Sequence, residues 1–246
     1  MFSIFRKKKP EESFPFHLVG TDMHSHILAG IDDGSPDLDI STTLVRGLLD
    51  LGYRKLTATP HVMEDLFRNN KRTIQEAHNN LQLRLAEEGI EVPIRFAAEY
   101  LLDGNVDTML AKKVPMLTLK DNLVLVEISF VSPPMYLREV LFELQMKGYQ
   151  PVFAHPERYF FYHARPADYS EIKDMGCLFQ CNLLSFSGYY GPPVRQAAEY
   201  LVKNDMVDFV GTDIHHEKHL QALRELTLTP SLARLIHEKG VMNTRL

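Results

Sequence analysis

The sequence predicts an α/β protein whose single domain is a TIM-like barrel of seven βα units, (β/α)7. Strand-like apolar runs alternate with helix-like amphipathic runs along almost all of the 246 residues. The strand runs are nearly continuous in apolar residues, which is typical of parallel sheets covered by helices. The sequence lacks the GxGxxG fingerprint of a doubly wound sheet, so seven such units favour a closed or nearly closed barrel.

The first three units contain two long helices and one short helix. Ser35 and Pro36 form a predicted N-cap and first helical position for the helix of the first unit. The second helix runs from Lys71 to Glu88, where Gly89 ends it, and a helical turn at Val106–Ala111 follows the third strand. The predicted strands of these units are TDMHSH, YRKLTATPH and VPIRFAAEY.

The remaining units continue this alternation to the end of the chain. Helices are predicted at Met135–Lys147 and around Asp168–Met175, and a Gly-Pro-Pro start at Gly191–Pro193 opens a further helix. Two closing helices, HEKHLQALREL and SLARLIHEKG, follow the last strand. The predicted strands of these units are NLVLVEISF, YQPVFAH, CLFQCNLLSF and DFVGTD.

The composition predicts a cytoplasmic protein with one folded domain. Hydrophobic residues make up 45% of the chain, and the net charge of −5 gives no general attraction to nucleic acid. No apolar stretch has the length of a bilayer span or the character of a signal peptide. We expect a basic N-terminal tail at residues 1–16 and the domain at 17–246. The run Arg6–Lys9 is interpreted as solvated, with contact to the inner face of the membrane as the alternative.

The two cysteines do not indicate cysteine chemistry. Cys177 and Cys181 are too few for a disulfide framework and fit a reducing compartment. Neither opens the Cys-x5-Arg loop of cysteine-dependent phosphatases, because Leu183 and Ser187 stand six residues further on. Both cysteines lie in an apolar run and are expected to belong to the core.

Six of the seven predicted strands run into a side chain that can bind a metal ion. In a parallel barrel the carboxyl ends of the strands meet at one face, so residues distant in sequence become neighbours there. We therefore expect a metal centre at this face. Its candidate ligands, completed by two loop aspartates, are His24, His26, Asp32, Asp33, His61, Glu99, Glu127, His155, Asp213 and His215.

This set is too large for one mononuclear zinc site, which usually takes three protein ligands and a water. Glu99 and Asp213 are natural bridging groups between ions. Imidazoles and carboxylates without a thiolate suit Mn²⁺, Fe²⁺ or Zn²⁺. Two or three ions close together point to hydrolysis of a phosphate ester by a metal-held hydroxide. The other histidines are interpreted as surface or helix residues: His17, His78, His163, His216, His219 and His237.

Arg158 is the predicted phosphate-binding residue because it stands three residues beyond His155 on the same rim. The alternative is a salt bridge to Glu157 or another neighbour. Arg68 and Arg195 are weaker substrate-binding candidates, with an ordinary surface role as the alternative. Two aromatic runs could line a slot for an aryl group or simply pack in the core: Tyr159–Tyr162 and Tyr189–Tyr190.

The motifs that carry these residues resemble the PHP (polymerase and histidinol phosphatase) superfamily, and in particular its bacterial protein-tyrosine phosphatase branch. They are DMHSHILAGIDDGS, TPHV, AAEY, VEIS, AHPERY and GTDIHH. The resemblance implies a distorted seven-stranded barrel, a trinuclear centre often used with Mn²⁺, and a tyrosine-phosphorylated substrate such as a bacterial tyrosine kinase of polysaccharide synthesis. It leaves the oligomeric state open.

Carried over to this sequence, the resemblance implies nine ligands and assigns catalysis to Arg158, His155 and Asp213. Family members often carry a second arginine after the final Asp-x-His, where this chain has HEKHLQ. Either Lys218 or His219 substitutes for it, or the phosphate is held in a different way. The implied ligands are His24, His26, Asp33, His61, Glu99, Glu127, His155, Asp213 and His215.

Three other functions compete with this one. A small-molecule phosphatase such as histidinol phosphatase would use the same ligands. An amidohydrolase would also place metals at barrel strand ends, but Glu127 and Asp33 exceed its usual set. A regulatory subunit that binds a kinase without catalysing would be expected to have lost ligands, and the complete set argues against it.

Overall fold

Every strand of residues 12–246, the part of the chain that the computed structural model describes, runs parallel to its sheet neighbours. A three-stranded sheet has the order β1-β2-β4 and a six-stranded sheet the order β3-β5-β6-β7-β8-β9. The strands are β1 (Thr21–Asp22), β2 (Lys55–Ala58), β3 (His61–Val62), β4 (Ile94–Phe96), β5 (Glu99–Leu101), β6 (Leu123–Glu127), β7 (Gln150–Ala154), β8 (Leu178–Asn182) and β9 (Phe209–Gly211).

The predicted count of seven strands is wrong, because two of the predicted strands are each interrupted. The first interruption falls at Thr59 and Pro60, between β2 and β3. Pro60 has no N–H to donate to a sheet. The next predicted strand is interrupted at Ala97 and Ala98, between β4 and β5. Its first half therefore pairs in the three-stranded sheet and its second half in the six-stranded sheet. The structure shows an α/β domain with parallel sheets, as predicted.

The helices lie between the strands in the predicted order. They are α1 (Phe16–Val19), α2 (Leu38–Leu51), α3 (Lys71–Glu87), α4 (Gly104–Ala111), α5 (Leu137–Met146), α6 (Phe160–His163), α7 (Ala167–Asp174), α8 (Leu183–Ser187), α9 (Pro192–Lys203), α10 (Glu217–Arg224) and α11 (Pro230–Ala233). A π-helical segment continues α11 over Arg234–Lys239, and 3-10 turns occupy Pro156–Arg158 and Met242–Arg245.

The predicted N-cap of α2 is wrong by two residues. The N-cap is Asp37, which has extended backbone dihedrals and whose carboxylate accepts a hydrogen bond from the backbone N–H of Ile40 at 2.9 Å. The helix begins at Leu38, so Pro36 lies before it. Aspartate is as good a cap as serine because its charge also complements the positive end of the helix.

The apolar run CLFQCNLLSF is not one strand. Strand β8 ends at Asn182, and the second half of the run forms α8. The buried carboxylate of Glu157 accepts hydrogen bonds from the backbone N–H of Asn182 at 2.8 Å and the hydroxyl of Ser185 at 2.7 Å. These bonds take the Asn182 donor away from sheet pairing and fix the start of the helix.

Part of the predicted N-terminal tail packs on the domain. Phe14 and Phe16 are buried, and the ring of Phe16 lies 5.6 Å from that of Tyr53. Ser13 forms an antiparallel bridge with Thr227. The basic run Arg6–Lys9 lies outside the described residues. Within residues 12–246, no helix combines the length and apolar character required to cross a membrane.

Candidate active site

Two strand ends that carry predicted ligands have left-handed backbone. His155, directly after β7, has φ of 35°, and Asp213, after β9, has φ of 50°. Such a conformation costs about 1–3 kcal/mol in a residue other than glycine, and strained residues of this kind cluster at functional sites. Here the unusual φ turns the chain out of the strand direction just where the side chain enters the centre.

The structure brings all nine predicted ligands together. Among the described residues, they form four groups whose ligand atoms lie within 4.8 Å of one another. Several residues belong to two groups, so the groups share one continuous centre. The groups are His26–Asp33–His61–His215, His24–His26–Asp213, His24–Glu99–His155 and His61–Glu99–Glu127.

Glu99 lies in the middle of this centre. Its Oε2 is 3.2 Å from Nε2 of His24 and 3.4 Å from Nε2 of His26. The same oxygen is 3.1 Å from Nδ1 of His61. The other oxygen, Oε1, accepts from Nε2 of His155 at 2.9 Å. One fully buried carboxylate therefore contacts four imidazoles of the ligand cluster.

Asp213 is the second carboxylate that contacts both His24 and His26. Its Oδ1 is 3.4 Å from Nε2 of His24 and 3.3 Å from Nε2 of His26. Its Oδ2 accepts from the guanidinium of Arg158 and from the amide of Asn182, both at 2.7 Å. Asp213 thus connects the ligand cluster to the arginine that was predicted to hold phosphate.

Asp33 marks the mouth of the centre. Its side chain is 57% exposed, whereas those of the inner carboxylates are buried. Its Oδ1 lies 3.3 Å from Nε2 of His61 and 3.6 Å from Nε2 of His215. A substrate entering from solvent would therefore reach this group of donors first.

The donor atoms fit divalent metal ions. Nδ1 of His61, Oε2 of Glu99 and Oε1 of Glu127 are buried and make no hydrogen bond, although they lie about as far apart as hydrogen-bonded atoms do. Buried polar atoms without partners are rare and need an explanation. Ligation explains them, since imidazole and carboxylate donors without thiolate suit hard and borderline divalent ions.

The neighbouring carboxylates also raise the pKa values of two of the histidines. Burial opposes a charge on His24, but Glu99 and Asp213 outweigh it and raise the pKa of His24 above its usual value. Burial likewise opposes a charge on His61, yet Glu99 and Asp33 raise its pKa strongly. The metal-free protein therefore holds protons at positions where ligation requires neutral imidazoles.

Metal affinity is consequently expected to fall as pH falls. Each ion must displace protons from His24 and His61, whose raised pKa values make both imidazoles hold their protons to higher pH than a free imidazole would, so higher pH favours the metal. Calorimetric titration with Mn²⁺ between about pH 6 and pH 8, in buffers of different ionisation enthalpy, measures both affinity and proton release. An affinity that does not change with pH would contradict this expectation.

Three polar residues that the sequence did not assign this role hold the ligands in place. Asp32, predicted as a candidate ligand, instead accepts from Nδ1 of His26 at 2.8 Å. Oε1 of Gln180 lies 2.8 Å from Nδ1 of His24, and Nε2 of Gln180 donates to Asn182, also at 2.8 Å. These contacts turn Nε2 of both histidines toward the centre, as outer partners of metal-bound imidazoles do.

Replacement of Gln180 by Ala is expected to weaken metal binding about 10–100-fold, because the ring of His24 loses its orienting partner. Competition with a chelator measures the affinity. Gln75→Ala, at an exposed position on α3, is the matched control and should bind metal normally. Equal affinities in both variants would show that Gln180 does not position His24.

Arg158 lies between two aromatic rings at the wall of the site. Its guanidinium carbon is 4.9 Å from the ring centre of Phe130 and 4.5 Å from that of Tyr190. It pairs with Asp213 rather than with Glu157, the alternative considered above. Arg158 and both aromatic residues line a cavity of about 270 Å³ together with Asp33, His61, Glu127, His155, Asp213, His215, His216 and His219.

The structure does not bring Arg68 or Arg195 to this cavity. Both are exposed, and neither lines it. Nε of Arg68 donates to the carbonyl of Glu64 at 2.7 Å, and Nε of Arg195 donates to Glu199 on the same helix at 2.8 Å. The geometry thus places both arginines on the surface outside the cavity, and their role in substrate binding stays a prediction.

Tyr159 and both cysteines lie in the core, whereas Tyr190 lies at the site. Tyr159 is fully buried, and its hydroxyl accepts from the backbone of Ile128 at 3.1 Å, so it packs in the core. Of the second run, Tyr190 lines the cavity. Both cysteines are buried, and burial raises the pKa of Cys177 to about 12. Thiols in this state are poor nucleophiles.

A family model described as capsular polysaccharide synthesis, CpsB/CapC, matches residues 20–229. The chain belongs to this family. This CpsB/CapC protein is 32% identical over 198 residues to tyrosine-protein phosphatase YwqE of Bacillus subtilis strain 168, covering 80% of its own length and 78% of the relative. It is 31% identical over 205 residues to tyrosine-protein phosphatase CpsB of Streptococcus pneumoniae, covering 79% and 82%.

The fold of this CpsB/CapC protein agrees with that of a solved relative. The matching chain is from the crystal structures of YwqE from Bacillus subtilis and CpsB from Streptococcus pneumoniae, which are described as metal-dependent tyrosine phosphatases. The TM-score is 0.78 at 30% identity, over 92% of this chain and 90% of the other. The family resemblance predicted from the sequence is confirmed.

Proposed function

We propose that this chain is a metal-dependent tyrosine-protein phosphatase of capsular or exopolysaccharide synthesis, acting on a tyrosine-phosphorylated protein such as a bacterial tyrosine kinase. The observation that carries the proposal is the junction at Asp213, where the nine-residue ligand cluster meets a phosphate-binding guanidinium in one cavity. The names of the relatives, YwqE and CpsB, support the same reaction. The small cavity suits a phosphoryl group presented on a protein surface.

Different residues would bind the metal ions and the phosphoryl group. Divalent ions, two or three with Mn²⁺ favoured, would supply an activated water and neutralise phosphoryl charge when bound. The nine clustered residues would hold them, and Glu99 and Asp213 each contact several of the other ligands. Arg158 donates to phosphoryl oxygens while Asp213, Phe130 and Tyr190 fix its guanidinium. The phenolate leaving group has a pKa of about 10, so its departure needs little help from an acid.

The proposal is tested by phosphate release from a tyrosine-phosphorylated peptide by Mn²⁺-loaded protein, with histidinol phosphate assayed in parallel. We expect preference for the peptide and loss of activity with a chelator. Preference for histidinol phosphate would keep the metal centre and overturn the substrate class. Bound metal without turnover of any phosphomonoester would favour the non-catalytic binding subunit instead.

The location of the reaction follows from the proposed substrate. We infer that the protein acts in the cytoplasm near the inner face of the membrane, where the proposed kinase partner would lie. The chain needs no membrane span for this task, and contact with the kinase would bring it there. Fractionation of cells with and without the kinase measures the association.

We also propose that the two sheets together make a distorted barrel. The first and last strands meet, since Ser25 bridges Ile214 in parallel and the backbone N–H of Asp213 donates to the carbonyl of His24 at 2.8 Å. Across the strand interruptions, the N–H of Glu99 donates to the carbonyl of Pro60 at 3.1 Å. The buried position of Phe14 supports a domain that begins a few residues before 17.

A further inference from the structure

The loop that follows β6 extends from the active-site cavity onto the outer surface of the domain. Phe130 belongs to both regions. Its ring lines the cavity and stacks on that of His155 at 5.6 Å between ring centres, yet the residue is 46% exposed. Further along the loop, Val131 and Met135 are almost completely exposed, and Tyr136 is partly exposed. The apolar side chains of this rim loop (residues 129–136) therefore continue the cavity wall outward.

The rim loop holds these side chains on a restricted backbone. The hydroxyl of Ser129 accepts a hydrogen bond from the backbone N–H of Val131 at 3.2 Å. Pro133 and Pro134 follow, and each proline fixes its own φ. A loop restricted in this way loses little conformational entropy when a partner binds. Neighbouring exposed apolar side chains beside a polar cavity are typical of a surface that binds another molecule.

A group of acidic side chains lies beside the far end of the rim loop. Partial burial raises the pKa of Tyr136, and Asp107 and Asp103 raise it further, so its ring lies near the start of α4. The pKa of Asp107 is raised by burial and then by Glu143 and Asp103. In the part of the chain that the structure describes, no lysine or arginine offsets this repulsion at Asp107. These carboxylates therefore favour a positively charged partner.

The position of the rim loop indicates which molecule covers it. The guanidinium carbon of Arg158 lies 4.9 Å from the ring centre of Phe130, so both side chains belong to one wall. A phosphotyrosine whose phosphoryl group is bound by Arg158 would extend its ring along this wall toward solvent. The residues next to it in the substrate chain would then lie against Val131 and Met135.

We propose that the rim loop and the acidic side chains beside it bind the substrate segment around the phosphotyrosine, and select an apolar residue next to it and a basic residue beyond. This inference rests on the proposed function and specifies its substrate further. Val131 and Met135 determine specificity without contacting the phosphoryl group. Hydrolysis of a small aryl phosphate, which occupies only the cavity, does not depend on them.

Peptides with a non-hydrolysable phosphotyrosine analogue, difluorophosphonomethyl-phenylalanine, measure this selection without turnover. The first peptide has leucine on both sides of the analogue and lysine beyond each leucine. The second has serine in place of the leucines, and the third has serine in place of the lysines. Fluorescence anisotropy gives the dissociation constants for Mn²⁺-loaded protein at low and high salt. The same samples are assayed with p-nitrophenyl phosphate as the small aryl phosphate.

We expect the unchanged protein to bind the first peptide about tenfold more tightly than the second, because the leucines bury apolar surface against the rim loop. The double variant Val131→Ser/Met135→Ser should bring these two affinities within about threefold of each other and hydrolyse p-nitrophenyl phosphate normally. Met146→Ser, which changes an exposed methionine at the far end of α5, is the matched control and should keep the preference.

The lysines test the acidic side chains. Replacing them by serine should weaken binding about threefold at low salt and less at high salt, because exposed charges are screened. Asp107→Asn should reduce this difference, whereas Asp174→Asn, at an exposed position at the end of α7, should not. An equal effect of the two substitutions would contradict the proposed role of the acidic side chains.

Equal binding of the first two peptides by the unchanged protein, or a leucine preference that survives in the double variant, would overturn the inference. Release of phosphate from the corresponding phosphotyrosine peptides at equal rates would also overturn it, while leaving the proposed function intact. Selective binding without release of phosphate would support the binding surface and contradict the proposed function.

Discussion

Glu99→Gln is expected to lower kcat/KM for a tyrosine-phosphorylated peptide by at least about 10³-fold. The carboxylate contacts four imidazoles of the centre, so its replacement by a neutral amide removes a negative charge and a metal donor from the middle of the ligand cluster. Metal ions contribute several kcal/mol to stabilising a phosphoryl transition state, and each 1.4 kcal/mol is a factor of ten in rate. Initial rates and metal stoichiometry by mass spectrometry measure the two consequences together.

The matched control is Glu139→Gln, an exposed carboxylate on α5, which should retain activity and metal content. Thermal unfolding of both variants shows whether the fold is intact. If Glu99→Gln kept more than about a tenth of the activity, a loss of less than about 1.4 kcal/mol, Glu99 would not bridge ions. Loss of activity with an unchanged metal content would instead place its role in the reaction rather than in metal binding.

Arg158→Lys is expected to lower kcat/KM about 10²–10³-fold, the range found when one preorganised transition-state donor is removed. Lysine keeps the positive charge but cannot bind two phosphoryl oxygens in parallel or stack between Phe130 and Tyr190. The decrease in kcat/KM therefore measures the contribution of the guanidinium geometry rather than that of the positive charge. Metal content should remain that of the unchanged protein, since Arg158 contacts Asp213 only through Nη1.

Arg195→Lys is the matched control for this substitution. Arg195 was predicted to bind substrate as well, but it is exposed and pairs with Glu199 away from the cavity. We expect kinetics close to those of the unchanged protein. A loss in Arg195→Lys comparable to that in Arg158→Lys would mean that substrate extends over α9, and an active Arg158→Lys variant would assign phosphate binding to other residues.

The sequence predicted the ligand cluster better than the sheet that carries it. His61 and Glu99 could be found because each follows a short apolar run, and parallel strands bring such positions to one face. The interruption at Pro60 was not predicted, because its effect depends on which neighbouring strand would have received the missing N–H. Periodicity along one segment contains no information about that partner.

Residues that act through another side chain were also missed. Gln180 and Asn182 are uncharged, lie within a strand, and act by fixing His24 and Asp213. The available signal was two buried amides in the otherwise apolar run CLFQCNLLSF, since buried amides need partners. Arg68 shows the opposite case, because position in a loop near a ligand does not determine which way the side chain points.

The meeting of the first and last strands has a consequence for biosynthesis. His24 and His26 are synthesised well before Asp213, which lies within 3.4 Å of both in the folded protein. A nascent chain therefore carries incomplete groups of ligands until β9 pairs with the beginning of the domain. Metal ions compete for the complete centre only after that pairing has formed.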